Sequence, residues 1–207
     1  MTENVKKIEK ITFDDYNGKA SKFWENTKDH DVSQNYTAFL APFDGKKSLD
    51  ILDFGCGPGR DILYFKSIGH NPVGLDGASE FCEMARKLTG CRVLEQSFND
   101  LDLVENSFDG VFANASMFHV PRKNLAKVLK DLYKALRPNG ILFTSNPRGD
   151  DDGWQRPGRY GNFMQYDQSL VYLEDAGFKI IDHYYRPPNL PRDQQNWLAM
   201  VSKVDKN

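Results

Sequence analysis

The chain predicts an α/β fold, a doubly wound and mostly parallel sheet with helices on both faces. Three observations carry this expectation. From residue 49 onward, short apolar runs alternate with amphipathic stretches, the pattern of strands joined by helical crossovers. The first run, Leu49–Asp53, breaks into Gly55-Cys56-Gly57-Pro58-Gly59 before the next amphipathic stretch. The second, Val73–Asp76, again ends in an acid, 23 residues after Asp53, about the length of one βαβ unit.

Residues 1–12 read as a frayed arm or the start of a helix. Residues 13–41 read as two helical pieces, with Phe23 and Trp24 on the first and Tyr36, Phe39 and Leu40 on the second. Pro42–Ser48 is a turn-rich link. After the first strand (49–53), Pro58 suits a first helical position, and that helix runs to about Ile68. Strand two is 72–75. In the next helix Ser79 is a plausible cap, with Phe81, Met84, Ala85 and Leu88 at helical spacing. Strand three is about 91–95 and strand four Phe108–Ala113. A helix then opens at Pro121, buries Leu125, Val128, Leu129, Leu132 and Leu136, and stops at Arg137 because Pro138 cannot continue it. Asn139-Gly140 turns the chain into strand five, 141–145. Residues 146–163 hold four glycines, two prolines and three arginines, a long connection that suggests a functional loop. A helix at about 166–176, a strand at 178–186, a proline-rich loop and a last strand at 195–203 complete the order. The expected organisation is a single domain over 1–207, with a helical cover (1–42), a ligand-binding core (49–145), and substrate loops with the last two strands (146–207).

Composition agrees with a water-soluble enzyme. Hydrophobic residues at 40% suffice for a sizeable core, and a net charge of −2 gives no general pull toward nucleic acid or anionic membrane. No apolar run approaches the roughly 18 residues of a membrane helix, and Met1–Lys10 lacks the apolar core of a signal peptide. Cys56, Cys82 and Cys91 have no metal-ligand spacing, so no metal is expected, and their sparse number suits a reducing cytoplasm. Cys56 reads as a small filler in the glycine turn rather than a reactive thiol.

In open α/β sheets ligands sit at the carboxyl ends of the strands. Asp53, Asp76, Gln96, Asn114 and Asn146 all fall at or just past those ends. The glycines bend the backbone and leave no side chain between it and a ligand, and Asp76 is placed to accept hydrogen bonds from two ribose hydroxyls. A dinucleotide fingerprint has a third glycine where this chain has Arg60. Asp53 beside the turn is a poor neighbour for a pyrophosphate and a good one for an ammonium. NAD is therefore disfavoured.

Asp53-Phe54-Gly55-Cys56-Gly57-Pro58-Gly59 resembles the first motif of class I S-adenosylmethionine-dependent methyltransferases. Val73-Gly74-Leu75-Asp76, Phe108-Asp109-Gly110-Val111, Ala115-Ser116-Met117-Phe118-His119-Val120-Pro121 and Leu136-Arg137-Pro138-Asn139-Gly140 resemble the order of motifs in the family's small-molecule branch. The resemblance covers about 50–147. It implies a Rossmann-like, seven-stranded sheet whose last strand is antiparallel and inserted beside the sixth. It also implies that the helices before residue 42 cover the cofactor, S-adenosyl-L-methionine. By this likeness Gly55 and Gly57 contact the methionine portion, Asp53 binds its amino group, Asp76 holds the ribose, and Gly77 and Ala78 border the adenine. Ser97 and Phe98 are favoured as the adenine's other neighbours, with ordinary core as the alternative for Phe98. Asn114 faces the sulfonium region. Arg60 either meets the cofactor carboxylate or forms an ion pair or cap with Asp61.

The acceptor is the least legible part. Asn114-Ala115-Ser116-Met117 stands where many nucleic-acid and protein amide methyltransferases carry Asn-Pro-Pro-Tyr, which weakens a nucleobase reading. His119 is the candidate general base, with a helix-anchoring role as the alternative. Tyr16, Trp24 and Tyr36 are candidates for an aromatic cover over the sulfonium, with plain packing as the alternative. Arg148, Arg156, Arg159, Arg186 and Arg192 lie in the loops after strands five and six and are candidate contacts to a substrate carboxylate, Arg148 and Arg159 foremost, although the same region holds eight acids from Asp150 to Asp193 and internal ion pairs explain the arginines equally well. The expectation is in-line methyl transfer to a small molecule by a monomer or weak homodimer. The other readings are a protein side-chain methyltransferase and a non-catalytic cofactor-binding regulatory subunit.

Overall fold

The computed structural model describes residues 2–43 and 45–206, so the expected link at Pro42–Ser48 is described apart from Asp44. Seven strands among these residues form one sheet. They are β1 (Asp50–Phe54), β2 (Asn71–Asp76), β3 (Val93–Glu95), β4 (Phe108–Asn114), β5 (Leu136–Pro147), β8 (Phe178–Arg186) and β9 (Trp197–Val204), in the order β3-β2-β1-β4-β5-β9-β8. β6 (Asp152–Arg156) and β7 (Arg159–Asn162) form a separate hairpin. β9 is antiparallel to both of its neighbours, and the other pairings in the sheet are parallel. The expected doubly wound sheet is therefore present, with its last strand inserted antiparallel beside the sixth.

The sheet's two faces follow from strand alternation. Ile51, Phe112, Ile141 and Phe143 point toward α3 (Ser33–Leu40) and α4 (Arg60–Ser67), where they meet Phe39 and Phe65. Leu52, Phe54, Val111 and Leu142 point the other way. They pack on the Leu125–Val128–Leu129–Leu132 stripe of α6 (Arg122–Ala135) and on Leu173 of α7 (Tyr166–Asp175). At Gly110 of β4 an added Cβ would lie 2.5 Å from Phe39 Cζ, so the missing side chain lets α3 settle on the sheet. α5 (Ser79–Thr89) covers the β2 side, burying Cys82 and Ala85 against Ile62.

Several boundaries differ from expectation. The N-terminal region forms three helices, α1 (Glu3–Asn17), α2 (Ala20–Thr27) and α3. α1 is held by Val5, Ile8 and Thr12, which all face inward. α6 ends at Ala135, before the expected Arg137, because the residue preceding a proline is itself driven from helical geometry. The long connection after β5 contains the β6–β7 hairpin. The strand order reverses between β1 and β4, since the chain fills β2 and β3 on one side before crossing back. The carboxyl ends of β1 and β4 thus frame the crevice where such sheets bind ligands.

Candidate cofactor and acceptor site

The turn after β1 is fixed to β2 by its backbone. Gly55 and Cys56 donate N–H bonds to the Leu75 carbonyl at 2.7 and 3.0 Å. Gly55 sits at φ +81°, and a Cβ there would lie 2.2 Å from Ser116 Cβ, so only glycine lets the β4 loop close over the turn. At Gly57 (φ +50°) a Cβ would meet only Phe23 Cε1, at 3.8 Å, and its backbone faces open space. Asp76 braces the turn by accepting the Gly57 N–H at 3.0 Å through one oxygen and the Ala78 N–H at 2.9 Å through the other. Each oxygen keeps a lone pair for a further donor. Burial pushes the Asp76 carboxyl up to about 6, against those backbone bonds. Asp53 is 1% exposed, and its Oδ2 has no hydrogen-bond partner. Burial, and then the Asp61 charge, hold its carboxyl well above the ordinary range while Arg60 opposes them. A buried acceptor without a donor is costly, and an ammonium group would satisfy it.

Two cavities meet at Gly55 and Gly57. The first has Asp76, Phe98 and Phe81 on its floor and Thr12, Phe13 and Tyr16 of α1 as its ceiling. Phe98 stacks on Phe54 with ring centroids 4.2 Å apart. Phe13 lies directly on Gly77, where a Cβ would stand 2.2 Å from Phe13 Cζ. Glu9 of α1 accepts bonds from the Ser97 hydroxyl and, at 2.7 Å, from the Asn99 amide. Tyr16 reaches His119, with 2.8 Å between the hydroxyl and Nε2, while His119 Nδ1 lies 2.9 Å from the Tyr160 carbonyl of β7. A carbonyl only accepts, so Nδ1 carries the proton and Nε2 accepts from Tyr16. Burial lowers His119 to about 4 and raises Tyr16 to about 12, so both are neutral near pH 7. Arg159 lies 4.5 Å over the Tyr16 ring and 3.7 Å from Asp15, joining the hairpin to α1.

The second cavity, about 1340 Å³, lies on the other side of the glycine turn, among Trp24, His30, Asn114, Ser145, Arg186 and Trp197. Its floor is a hydrogen-bonded network. Arg60 grips Asp61 with two bonds, of 2.7 and 3.0 Å, and donates a third to the Thr27 carbonyl at 3.1 Å. The Tyr36 hydroxyl donates to Asp61 at 2.5 Å, and the Asn114 amide donates to the same carboxylate at 3.3 Å. Fully buried Asn35 donates to Asn114 Oδ1 at 2.9 Å and accepts from Tyr184 at 2.8 Å and Arg186 at 3.1 Å. The network thus runs from the start of α4 to the end of β8.

Residues 51–140 match the family model described as a methyltransferase domain. This match supports the resemblance to class I S-adenosylmethionine-dependent methyltransferases read in the sequence. It is 24% identical over 170 residues to the sterol 24-C-methyltransferase erg6 of Aspergillus fumigatus, a match covering 70% of this chain and 45% of that one. It is 29% identical over 123 residues to the malonyl-[acyl-carrier protein] O-methyltransferase of Pectobacterium atrosepticum, covering 56% and 48%. This chain spans a little under half the length of these two curated relatives. Its fold is shared with the 1,6-didemethyltoxoflavin-N1-methyltransferase of Burkholderia thailandensis, whose structure holds 1,6-didemethyltoxoflavin and S-adenosylhomocysteine. The TM-score is 0.77 at 21% identity, over 95% of this chain and 88% of that one.

Of the residues expected to hold the cofactor, Gly55, Gly57, Asp76 and Phe98 line the first cavity; Asp53 is buried at the end of β1, Gly77 lies under Phe13, and Ser97 is engaged with Glu9. Arg60 and Asn114 stand on the second cavity, their polar groups engaged with Asp61 and Asn35. Of the proposed aromatic cover, Tyr16 lines the first cavity and Trp24 the second, while Tyr36 is buried beneath it and stacked on Tyr64 at 3.7 Å. His119 faces the first cavity, among α1 residues. Arg148 lines neither cavity; it donates to the Arg192 carbonyl and lies 5.3 Å from the Tyr185 ring. Arg159 stands behind Tyr16. Sequence reasoning gave no role to Asn35 or Ser145, and it grouped Arg186 only with the other loop arginines. The one local signal for Arg186 was its place at a strand end before Pro187-Pro188.

Proposed function

We propose that the protein transfers a methyl group from S-adenosylmethionine to a small-molecule acceptor by in-line displacement. One observation carries this reading. Two strand-end carboxylates, one of them buried with an orphaned oxygen, flank a bare glycine backbone at the meeting point of two cavities. Asp53 would take the cofactor's ammonium, Gly55 and Gly57 its methionine backbone, Asp76 the ribose hydroxyls, and Gly77 with Ser97-Phe98 the adenine. Bound there, the cofactor supplies an electrophilic methyl group on a sulfonium whose leaving group needs no further activation. The protein's own work is then alignment and exclusion of water. Asn114 is held by Asn35 and Asp61, so it orients the reaction centre with one amide N–H left to offer. α1 and Tyr16 close the adenosine side. His119 serves as the neutral latch that receives α1, and a role as base would require Tyr16 to leave Nε2.

The open second cavity favours a metabolite over a blocked regulatory subunit. No described helix is long and apolar enough to cross a membrane. Three free thiols suit a reducing cytoplasm, and the near-neutral charge supplies no general attraction to nucleic acid; a monomer or weak homodimer completes the reading. The test is calorimetry with S-adenosylhomocysteine, followed by methyl-transfer screening of a metabolite extract with mass-spectrometric identification of the product. Binding on a micromolar scale together with a methylated small molecule is expected. Binding with no methylated product would return the regulatory reading.

A further inference from the structure

The second cavity has its own recognition groups, which the cofactor assignments above leave unused. They lie in a row across the carboxyl edge of the sheet. Asn114 of β4 is in register with Ser145 of β5, Ser145 with Ala199 of β9, and two residues back along β9 Trp197 is in register with Arg186 of β8. Ser145 is 1% exposed, and its Oγ has no hydrogen-bond partner although the residue lines the cavity. A buried hydroxyl left without a partner is unfavourable unless a ligand or water completes it.

Arg186 is the cavity's second charged anchor. Its guanidinium donates to the Asn35 amide oxygen and to the Asp31 carbonyl, both at 3.1 Å. Of five N–H donors, three remain. No described carboxylate lies within 4.0 Å of it among the ion pairs of this structure. The nearby Asp31 carboxylate accepts the Ser33 N–H at 2.9 Å instead. Arg60, the other arginine here, is gripped by Asp61. Arg186 is therefore fixed in place by neutral acceptors, with the Asp31 carboxylate near its charge but no ion pair closed, an arrangement that leaves donors for bidentate recognition of a carboxylate. Trp24 and Trp197 supply flat apolar walls.

From this row we infer that the acceptor is a small anion with a flat or apolar body, its acidic group held by Arg186 and a hydrogen-bonding heteroatom met by Ser145. The inference rests on the reading of the turn between Asp53 and Asp76 as the methyl-donor site. It moves the carboxylate contact from Arg148 and Arg159, which stand away from this cavity, to Arg186.

The test uses benzoate and its neutral isostere benzamide as probes, titrated by calorimetry or ligand-observed NMR into the full chain saturated with S-adenosylhomocysteine. Benzoate should bind at least about tenfold more tightly than benzamide, since one charge-assisted bond of about 1.5–3 kcal/mol corresponds to tenfold or more. Arg186→Gln should remove that preference and leave S-adenosylhomocysteine affinity within about twofold, which also reports that the variant folds. Arg186→Lys, which keeps the charge, should retain part of the preference. Equal binding of the two probes, or benzoate binding unaffected by Arg186→Gln, overturns the inference while the methyl-donor reading stands. A large loss of S-adenosylhomocysteine affinity in folded Arg186→Gln overturns it too, by assigning the arginine to the cofactor's carboxylate. Failure of the wild-type chain to bind S-adenosylhomocysteine overturns both.

Discussion

Asp76 is a carboxylate whose surroundings resist its charge, and this gives it a pH signature. Burial raises its folded pKa to about 6, above the unfolded value of about 3.9. The native state thus binds more protons than the unfolded state between those values, and the unliganded fold loses stability from this group as pH rises through them. Ligand binding runs the opposite way, because the ribose hydroxyls need the ionised form as acceptor. S-adenosylhomocysteine affinity should be level above pH 7 and fall toward tenfold per unit below about 6, following the ionised fraction. Asp53 is also raised by burial, so the two are separated by substitution. The step should survive in Asp53→Asn and vanish in Asp76→Asn, as read by calorimetry from pH 5 to 8. The glycines give a second residue-scale contrast. Gly55→Ala combines left-handed backbone with a 2.2 Å clash against Ser116 and should cost at least about 2 kcal/mol in denaturant unfolding. Gly57→Ala has room for its Cβ and should cost about 1 kcal/mol, while blocking the ligand's approach to the backbone. Equal losses in the two variants would contradict the packing described for Gly55. These acids and glycines were legible in the sequence because their roles are local: Asp53 and Asp76 stand at strand ends, and Gly55 and Gly57 follow β1 by one and three residues. Ser145, Asn35 and Arg186 were not, because their partners are supplied by distant strands and helices.

At the scale of elements, α1 and the β6–β7 hairpin form a clasp over the first cavity. The Tyr16–His119–Tyr160 chain joins α1, the β4 loop and β7, and Glu9 with Asn99 secures the other end. Tyr16→Phe removes the donor to Nε2, and His119→Ala removes its acceptor. A double-mutant cycle on unfolding should therefore show a coupling of about 0.5–1.5 kcal/mol, and additive losses would break the clasp. Bound S-adenosylhomocysteine should slow hydrogen exchange across Glu3–Asn17, whose contacts line its cavity. Because burial holds His119 near 4, no limb of the pH–rate profile between pH 6 and 8 should disappear in His119→Ala. The clasp was only half legible. Val5, Ile8 and Thr12 are too few apolar positions to announce a helix in a charged segment, and tertiary contact supplies the rest. The hairpin's strands are short, each interrupted by a glycine, with β6 largely exposed and β7 buried at three consecutive positions, so they carry little period-two signal.

At the scale of the molecule, the alternation of strands and helices fixed the class of fold, but the insertion of β9 between β5 and β8 left no local trace and came only through the family resemblance. That insertion matters for function. It carries Trp197 and, through its register, Arg186 to the same sheet edge as Asn114 and Ser145, so the acceptor cavity is assembled from chain segments up to about 150 residues apart. One ligand at the Asp53–Asp76 turn thus meets the sheet, α1 and, through α1, the hairpin, and its binding energy stabilises the whole cooperative unit. At a concentration of one hundred times its Kd, a ligand specific for the native state adds about 2.7 kcal/mol. For a domain of this size each kcal/mol raises Tm by about 2–4 °C, so S-adenosylhomocysteine should raise it by about 5–10 °C. NAD at the same concentration should leave Tm unchanged, because Arg60 replaces the third glycine and Asp53 opposes a pyrophosphate. A rise produced by NAD, with none from S-adenosylhomocysteine, would assign the glycine turn to a dinucleotide despite the family match over residues 51–140.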